Sequence, residues 1–403
     1  MARRRCGHTS TLVVAATALL VATLGAGTAA GDDGAGEAAI ERVGGSDRYE
    51  TAARVAAAHG HAGDTVYVAS GEGAADALAA GPAAASDDAA LLLVRGTGPL
   101  PSSTRESLAD VSPERIVLVG GTTAVDAGVA GRLAEFADVE RLAGADRYAT
   151  AAEVATATFD TAARAYVATG KGVVDALSGG VLAASRGAPV LLARPDGLPA
   201  STRRALTALG TTDVTLIGGE QALGAQVVAE LEAHVPGTVE RIAGADRFAT
   251  AAAVSDRLDA AEAVFLTSGR GFADALAAVP AAGRTGASLL LVEPRGALPD
   301  STAQRLAAGG FARRTVVGGE AAVADGVVDL LHRAAAGEPT CIDLNTADAG
   351  LLTEIRGVGE VRAGDIVEGR PWGAVHELTE VHGIGPATLE GILDQGLARV
   401  DCP

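Results

Sequence analysis

One eight-residue signature constrains the fold more than any other feature, because the chain carries it three times. Gly45-Ser46-Asp47-Arg48-Tyr49-Glu50-Thr51-Ala52 returns as Gly144-Ala145-Asp146-Arg147-Tyr148-Ala149-Thr150-Ala151, and again as Gly244-Ala245-Asp246-Arg247-Phe248-Ala249-Thr250-Ala251. The first two copies lie 99 residues apart and the last two 100. Other landmarks keep step: Ser/Thr-Gly-x-Gly-x-x-Asp-Ala-Leu at 70–78, 169–177 and 268–276, Leu-Pro before 102, 200 and 300, and Gly-Gly pairs beginning at Gly120, Gly218 and Gly318. A period near 100 is longer than that of most solenoids and amounts to one small domain per copy. The chain is a triplicated module with a further segment added at its end.

The middle copy shows the internal pattern. A short strand over 139–142 ends at Gly144, and Asp146 stands where a helix N-cap belongs, its carboxylate accepting first-turn N–H groups. Strands follow at 165–168, 189–192 and 214–217, the second a continuous apolar run of the kind buried on both faces. Helical stretches separate them at 173–185, about 200–209 and 222–234. Strands and helices alternate about four times per copy, which predicts a parallel sheet with helices on both faces. The expected fold is α/β: three tandem Rossmann-like or flavodoxin-like repeats at 40–138, 139–237 and 238–336, arranged around a pseudo-threefold axis.

Composition agrees. Aromatic residues make up only 3% of a chain that is 48% hydrophobic and holds 53 glycines, so small side chains let helices lie close to a sheet. The formal net charge of −18 argues against polyanion binding over the whole surface and leaves room for local basic patches. Arg3, Arg4 and Arg5, an apolar run over 12–24 and small residues at 28–30 read as a signal peptide over 1–30, followed by a flexible leader at 31–39. No second apolar run follows, so no stable membrane span is expected after cleavage. The expected location is secreted, at the cell wall or cell surface.

With these motifs in hand, the region from about Ile40 to Ala336 resembles the second type of bacterial cell-wall-binding repeat. The Gly-x-Asp-Arg-(Tyr/Phe)-x-Thr-Ala signature, the Asp-Ala-Leu segment, the Leu-Leu strand, the Leu-Pro turn and the Gly-Gly pair all stand in order and in triplicate. The resemblance implies a non-catalytic anchor that holds an exported protein to a Gram-positive-type wall through an anionic wall polymer.

Several residues are candidates for polymer contact. The Gly-x-Gly turn opens a helix whose N–H groups can hold an oxyanion, and its middle position is Glu72, Lys171 and Arg270 in turn. Asp76, Asp175 and Asp274 follow in the first turn, where a carboxylate suits the helix dipole but not an anion; the turn reads equally as a plain helix start. Arg48, Arg147 and Arg247 recur with the same neighbours and serve either as forks for phosphate or as structural partners of an acidic residue in the next copy. Wall-polymer candidates are therefore Arg48, Arg147, Arg247, Lys171 and Arg270. Arg105, Arg203, Arg204 and Arg305 read as a solvated helix face. Catalytic, metal-binding and cofactor motifs are missing from the sequence, so neither a metal nor a cofactor is expected.

Beyond a short linker at 337–340 the repeat pattern stops. Apolar helical stretches flank Gly357-Val358-Gly359 and Gly383-Ile384-Gly385, making two helix–hairpin–helix units over 341–403. This segment resembles the DNA-binding domain of the ComEA competence proteins, sharing the Asn345-Thr346-Ala347 opening and the Leu378 to Gly385 stretch. The resemblance implies that hairpin N–H groups grip DNA phosphates, and makes Gly357, Val358, Gly359, Gly383, Ile384 and Gly385, with Arg356 and Arg362, the DNA candidates. Charge opposes it: four arginines and no lysine stand against eleven acidic residues. A structural surface protein whose acidic tail binds a protein partner is the rival expectation, and an enzyme acting on the wall a third. Cys341 and Cys402 bracket the segment and read as a disulfide staple in an exported chain, with an intermolecular bridge as the alternative. Closing a loop of ~60 residues stabilises by roughly 4 kcal/mol in the chain-entropy model.

Overall fold

The computed structural model describes residues 40–59, 63–172, 174–258 and 261–402. The signal peptide and leader expected at 1–39 lie outside the described residues. Strand β1 (Ile40–Val43) comes first, and three four-stranded parallel sheets account for the repeat region. In the first, β2 (Thr65–Ser70), β3 (Ala90–Val94), β4 (Arg115–Val119) and β5 (Asp138–Leu142) lie in the order β3-β2-β4-β5. The second repeats this with β6 (Arg164–Thr169), β7 (Val190–Ala193), β8 (Asp213–Ile217) and β9 (Val239–Ile242) as β7-β6-β8-β9. The third uses β10 (Ala263–Ser268), β11 (Ser288–Val292) and β12 (Arg313–Val317), and takes β1 as its fourth strand. In the first two sheets the chain runs second-first-third-fourth across the strands, the beginning of the flavodoxin-like order, and in the third β1 fills the fourth place.

The strands form because their sequences are apolar without interruption. All of Ala-Leu-Leu-Leu-Val in β3 and Ser-Leu-Leu-Leu-Val in β11 is buried, as expected where helices cover both faces. The fourth strand of every sheet is the one that opens the next sequence copy. β5 pairs with β4, β9 with β8, and β1 with β12 in the register Ile40↔Arg314 to Val43↔Val317. The spatial unit is thus offset by one strand from the sequence repeat, and β1 links the first copy to the last.

Three equivalent helices, Ala80–Ser86, Val174–Ser185 and Ala273–Thr285, pack on one another about the pseudo-threefold axis. Small residues permit the approach. A Cβ on Gly81 would lie 2.6 Å from Val279 Cγ1, and one on Gly283 would lie 2.2 Å from Ala184 Cβ.

The tail is helical, as the sequence predicts: Ala349–Leu352, Glu360–Glu368, a 3-10 turn at Val375–Glu380 and Pro386–Gln395. Two short strands, β13 (Ile342–Asp343) and β14 (Ala398–Arg399), tie its ends together in parallel. Cys341 and Cys402 form an intrachain disulfide beside them, with Cα atoms 5.8 Å apart. The tail is packed against the third copy. Arg399 pairs with Asp300 at 2.8 Å and Arg333 with Glu354 at 2.7 Å, and a Cβ on Gly396 would strike the Gly296 carbonyl. Its apolar residues, Ile342, Leu352, Ile366 and Ile392 among them, share one continuous core with the third copy. Among the described residues no helix is long and apolar enough to cross a membrane.

Candidate functional site

The triplicate signature lies at the carboxyl ends of the sheets, beside the crevice where strand order reverses. Its acidic residue caps the following helix: Asp47 Oδ1 accepts from the Glu50 N–H at 2.9 Å, Asp146 Oδ1 from Ala149 at 2.9 Å, and Asp246 Oδ1 from Ala249 at 2.8 Å. The threonine reaches back. The hydroxyl oxygens of Thr51, Thr150 and Thr250 accept the N–H of Gly45, Gly144 and Gly244 at 3.1, 3.0 and 3.1 Å. A Cβ on Gly144 would lie 2.3 Å from Ala149 Cβ, so only glycine fits against this first turn.

The arginine extends sideways. Arg48 Nη1 donates to Gly71 O at 2.5 Å, Arg147 Nη1 to Gly170 O at 2.5 Å, and Arg247 Nη1 to Gly269 O at 2.7 Å. Each therefore fastens the Gly-x-Gly turn of its own copy. Arg247 also acts electrostatically on Asp175 of the second copy, and Arg48 on Asp274 of the third, which further accepts a hydrogen bond from Thr51. Burial raises both carboxyls above their ordinary range, and the arginine opposes that rise. At the second copy these groups line a cavity of about 620 Å³ that includes Gly172, Asp175, Gly219, Asp246 and Arg247.

The middle residue of the turn does a different job each time. Glu72 Oε2 accepts the Gly96 N–H at 3.0 Å. Arg270 is held by Glu293 through two bonds of 2.8 and 2.7 Å. Lys171 is exposed, and among the described residues its ammonium has no ion-pair partner. The position facing this residue varies in compensation. Arg95 lies over the Tyr49 ring at 5.0 Å, Arg194 over Tyr148 at 4.7 Å, and Glu293 takes their place in the third copy. First and third copies are thus Glu–Arg and Arg–Glu, and the second is Lys–Arg, with Arg194 also 3.6 Å from Asp146. Of the helix-face arginines, Arg203 pairs with Glu230 at 3.2 Å and Arg305 with Asp256 at 3.1 Å.

Sequence reasoning passed over a second arginine set. Arg42, Arg141 and Arg241, each after a glutamate in the fourth strands, donate through Nη1 to the Gly318, Gly120 and Gly218 carbonyls at 3.1, 2.7 and 2.6 Å. The recurring Glu-Arg pair at 41–42, 140–141 and 240–241 was the available signal.

In the tail, Gly357 and Gly383 adopt φ of +77° and +84°, a region that side chains disfavour. The hairpins hand over to helices capped by Gly359 and Gly385. Val358 and Ile384 are buried, and their N–H groups donate within the hairpins to the Ile355 and Val381 carbonyls at 2.9 and 3.0 Å. Arg362 Nη1 donates to Gly357 O at 2.5 Å, and its guanidinium also lies against Gly383, tying the two hairpins together. Arg356 is exposed, and its N–H donates to Gln395 Oε1 at 2.7 Å. A groove of about 480 Å³ runs between Glu360, Val361, Arg362, Asp365 and His382, with Val361 79% exposed.

The model of the family described as cell wall binding domain 2 matches residues 42–130, 141–228 and 241–328, and the helix-hairpin-helix motif matches 339–395. The chain is 27% identical over 311 residues to the N-acetylmuramoyl-L-alanine amidase LytC of Bacillus subtilis, covering 77% of this chain and 61% of the amidase. The chain thus spans about three fifths of that relative. A deoxyribonuclease of Thioalkalivibrio is 47% identical over 64 residues, 16% of this chain and 18% of its own. Among solved structures, Cwp6 from Clostridium difficile superposes with a TM-score of 0.69 at 24% identity, over 75% of this chain and 49% of that one.

Proposed function

We propose, since the chain belongs to the cell wall binding domain 2 family, that it is an exported, non-catalytic protein held on the wall by its three repeats through an anionic polymer. The observation that carries this reading is the match of the family model to all three copies, each with the same capped helix start and arginine-fastened turn. The turn favours a ligand at close range. A Cβ on Gly73 or Gly271 would meet nothing within 4 Å, so packing does not demand these glycines, and they leave bare backbone at a helix start. Arg48, Arg147 and Arg247 position that backbone with one nitrogen each. Lys171 and Arg270 supply charge, Lys171 the more freely because Glu293 holds Arg270.

The tail displays its two hairpins for DNA in this reading, gripping phosphates through the N–H groups around Gly357–Gly359 and Gly383–Gly385, with Arg356 as the nearby cation. The likeness to a deoxyribonuclease supports it. The acidic balance of the tail, and the use of Arg362 within the fold, favour the rival in which the tail binds a protein partner. The amidase similarity keeps a wall-modifying enzyme as a third reading.

The deciding experiment is co-sedimentation of the chain with purified walls before and after acid stripping of phosphate-linked polymers. Binding lost on stripping is the expected result; no pelleting with either wall would end the anchor reading. A gel shift at low salt tests the tail separately, and no shift would leave the protein-partner rival.

A further inference from the structure

The tail carries apolar surface that the fold leaves uncovered. Among the described residues, the large hydrophobic side chains left exposed are Val361, Val367 and Leu393, all three in the tail. Val361 is the most open at 79%, and it stands second in helix Glu360–Glu368, on the rim of the groove of about 480 Å³. The second hairpin forms the opposite wall through His382 and Gly383. Arg362 bridges the two walls. Its Nη1 is held by the Gly357 carbonyl, and a Cβ on Gly383 would meet its Nη2 at 2.9 Å. Gly359 adds bare backbone at the groove's end, since a Cβ there would meet nothing within 4 Å.

Charge selects what can enter. Glu360 and Asp365 line the groove, and Glu368 continues the row, so that Val361, Asp365 and Glu368 follow one another at i, i+4 and i+7 along one helix face. Among the described residues none of these three carboxylates has an ion-pair partner. The tail's cations are turned to the fold instead. Arg362 is held by Gly357, Arg370 donates to the Leu344 carbonyl at 2.6 Å, and Arg399 pairs with Asp300. Residues 341–402, all of them described, hold eleven carboxylates against four arginines. A phosphate backbone approaching this face meets repulsion, and a cationic segment meets attraction. The second hairpin differs at the matching positions: Pro386, Ala387 and Thr388 stand where the first has Glu360, Val361 and Arg362. The pairing of an aliphatic knob with carboxylates belongs to the first hairpin.

We propose that this groove docks a basic peptide segment of a partner protein, with an aliphatic side chain seated against Val361 and lysine or arginine paired with Glu360 and Asp365. Burial of the aliphatic anchor supplies attraction, while the carboxylates steer cations in and turn phosphates away. The long stem of a lysine or arginine covers further apolar surface while its charged head stays at the rim. Such a segment is the partner that the rival reading of the tail calls for, and the site rests on that reading and not on the wall anchor.

The test is fluorescence anisotropy of a labelled peptide of repeated Lys-Leu-Ala, titrated with the full chain at physiological ionic strength. Wild type should bind, and V361D should lose at least about tenfold in affinity although it adds a negative charge. That sign separates docking from plain attraction to an acidic chain, which V361D would strengthen. An aspartate in the first turn suits the helix dipole, so the variant keeps its fold, and V361L should bind as wild type does. E360Q/D365N should lose affinity to a similar degree. E106Q/D110N, which removes two exposed carboxylates of the first copy, should match wild type. Binding by a folded V361D as tight as wild type, or tighter, overturns the groove. If E380Q/E390Q shows the loss instead, another face of the tail takes the peptide and the protein-partner reading stands without this site. No binding by wild type overturns the groove and the reading beneath it together. Displacement of the peptide by a short DNA duplex assigns this face to nucleic acid and overturns the site.

Discussion

Asp274 shows how one side chain of the signature network sets a pH response. It is half-buried, accepts a hydrogen bond from Thr51 of the first copy and feels the charge of Arg48. Burial outweighs both and raises its carboxyl above the ordinary range. The unfolded chain therefore gives up this proton first, near pH ~3.9. Between there and the raised folded value, every step upward in pH costs the native state stability, and above it the loss is constant. Asp213 runs the other way: the Thr238 hydroxyl and N–H, with the Thr212 hydroxyl, hold it down at about 2. Its contribution is present above the unfolded value and lost as pH falls toward 2. Asp274→Asn should accordingly gain on wild type as pH rises from about 4 to 7, in urea unfolding at matched pH. A pH-independent difference between the two proteins would show that Asp274 titrates normally.

At the scale of elements, the three central helices are held at a spacing that only small residues allow. Gly283 faces Ala184 so closely that a Cβ would overlap it at 2.2 Å, and Gly283 is buried in the last turns of its helix. Gly283→Val should cost about 1–3 kcal/mol through overpacking. Gly271→Ala, whose Cβ would meet nothing within 4 Å, serves as the control and should change stability little. Equal unfolding midpoints for the two variants would mean that the helix trio has slack. The elements themselves were legible in the sequence, because the apolar runs of β3, β7 and β11 admit few other readings and the Asp146 cap follows from its place before the helix. The offset of the spatial units was not. A period fixes the length of a repeat but not its phase, and a strand at a repeat boundary can join the sheet on either side. The arginines were hidden for a related reason. Whether Arg147 forks a phosphate or fastens the Gly170 carbonyl depends on a neighbour 23 residues away, which spacing along the chain does not reveal.

For the whole molecule, β1 is the element on which closure depends. It is only four residues long, yet it supplies the outer strand of the third sheet and binds the beginning of the repeat region to its end. Val43 is buried, and Arg42 donates to the Gly318 and Val323 carbonyls and pairs with Asp325 at 2.9 Å, all from a distance of more than 270 residues in sequence. Burial of a valine contributes about 1.5–3 kcal/mol, and a hydrogen bond from a charged group about 1.5–3 kcal/mol. Removing residues up to Val43 should therefore leave the first two sheets intact and expose the edge of β12. Hydrogen exchange would read this directly. Amides of β12 should lose protection by about tenfold to a hundredfold, with β4 and β8 unchanged. A synthetic peptide spanning 38–45 should restore part of that protection by re-pairing with the edge. Exchange in β12 that ignores the deletion would mean that three sheets stand without closure, and that contact among the central helices alone holds the pseudo-threefold assembly together.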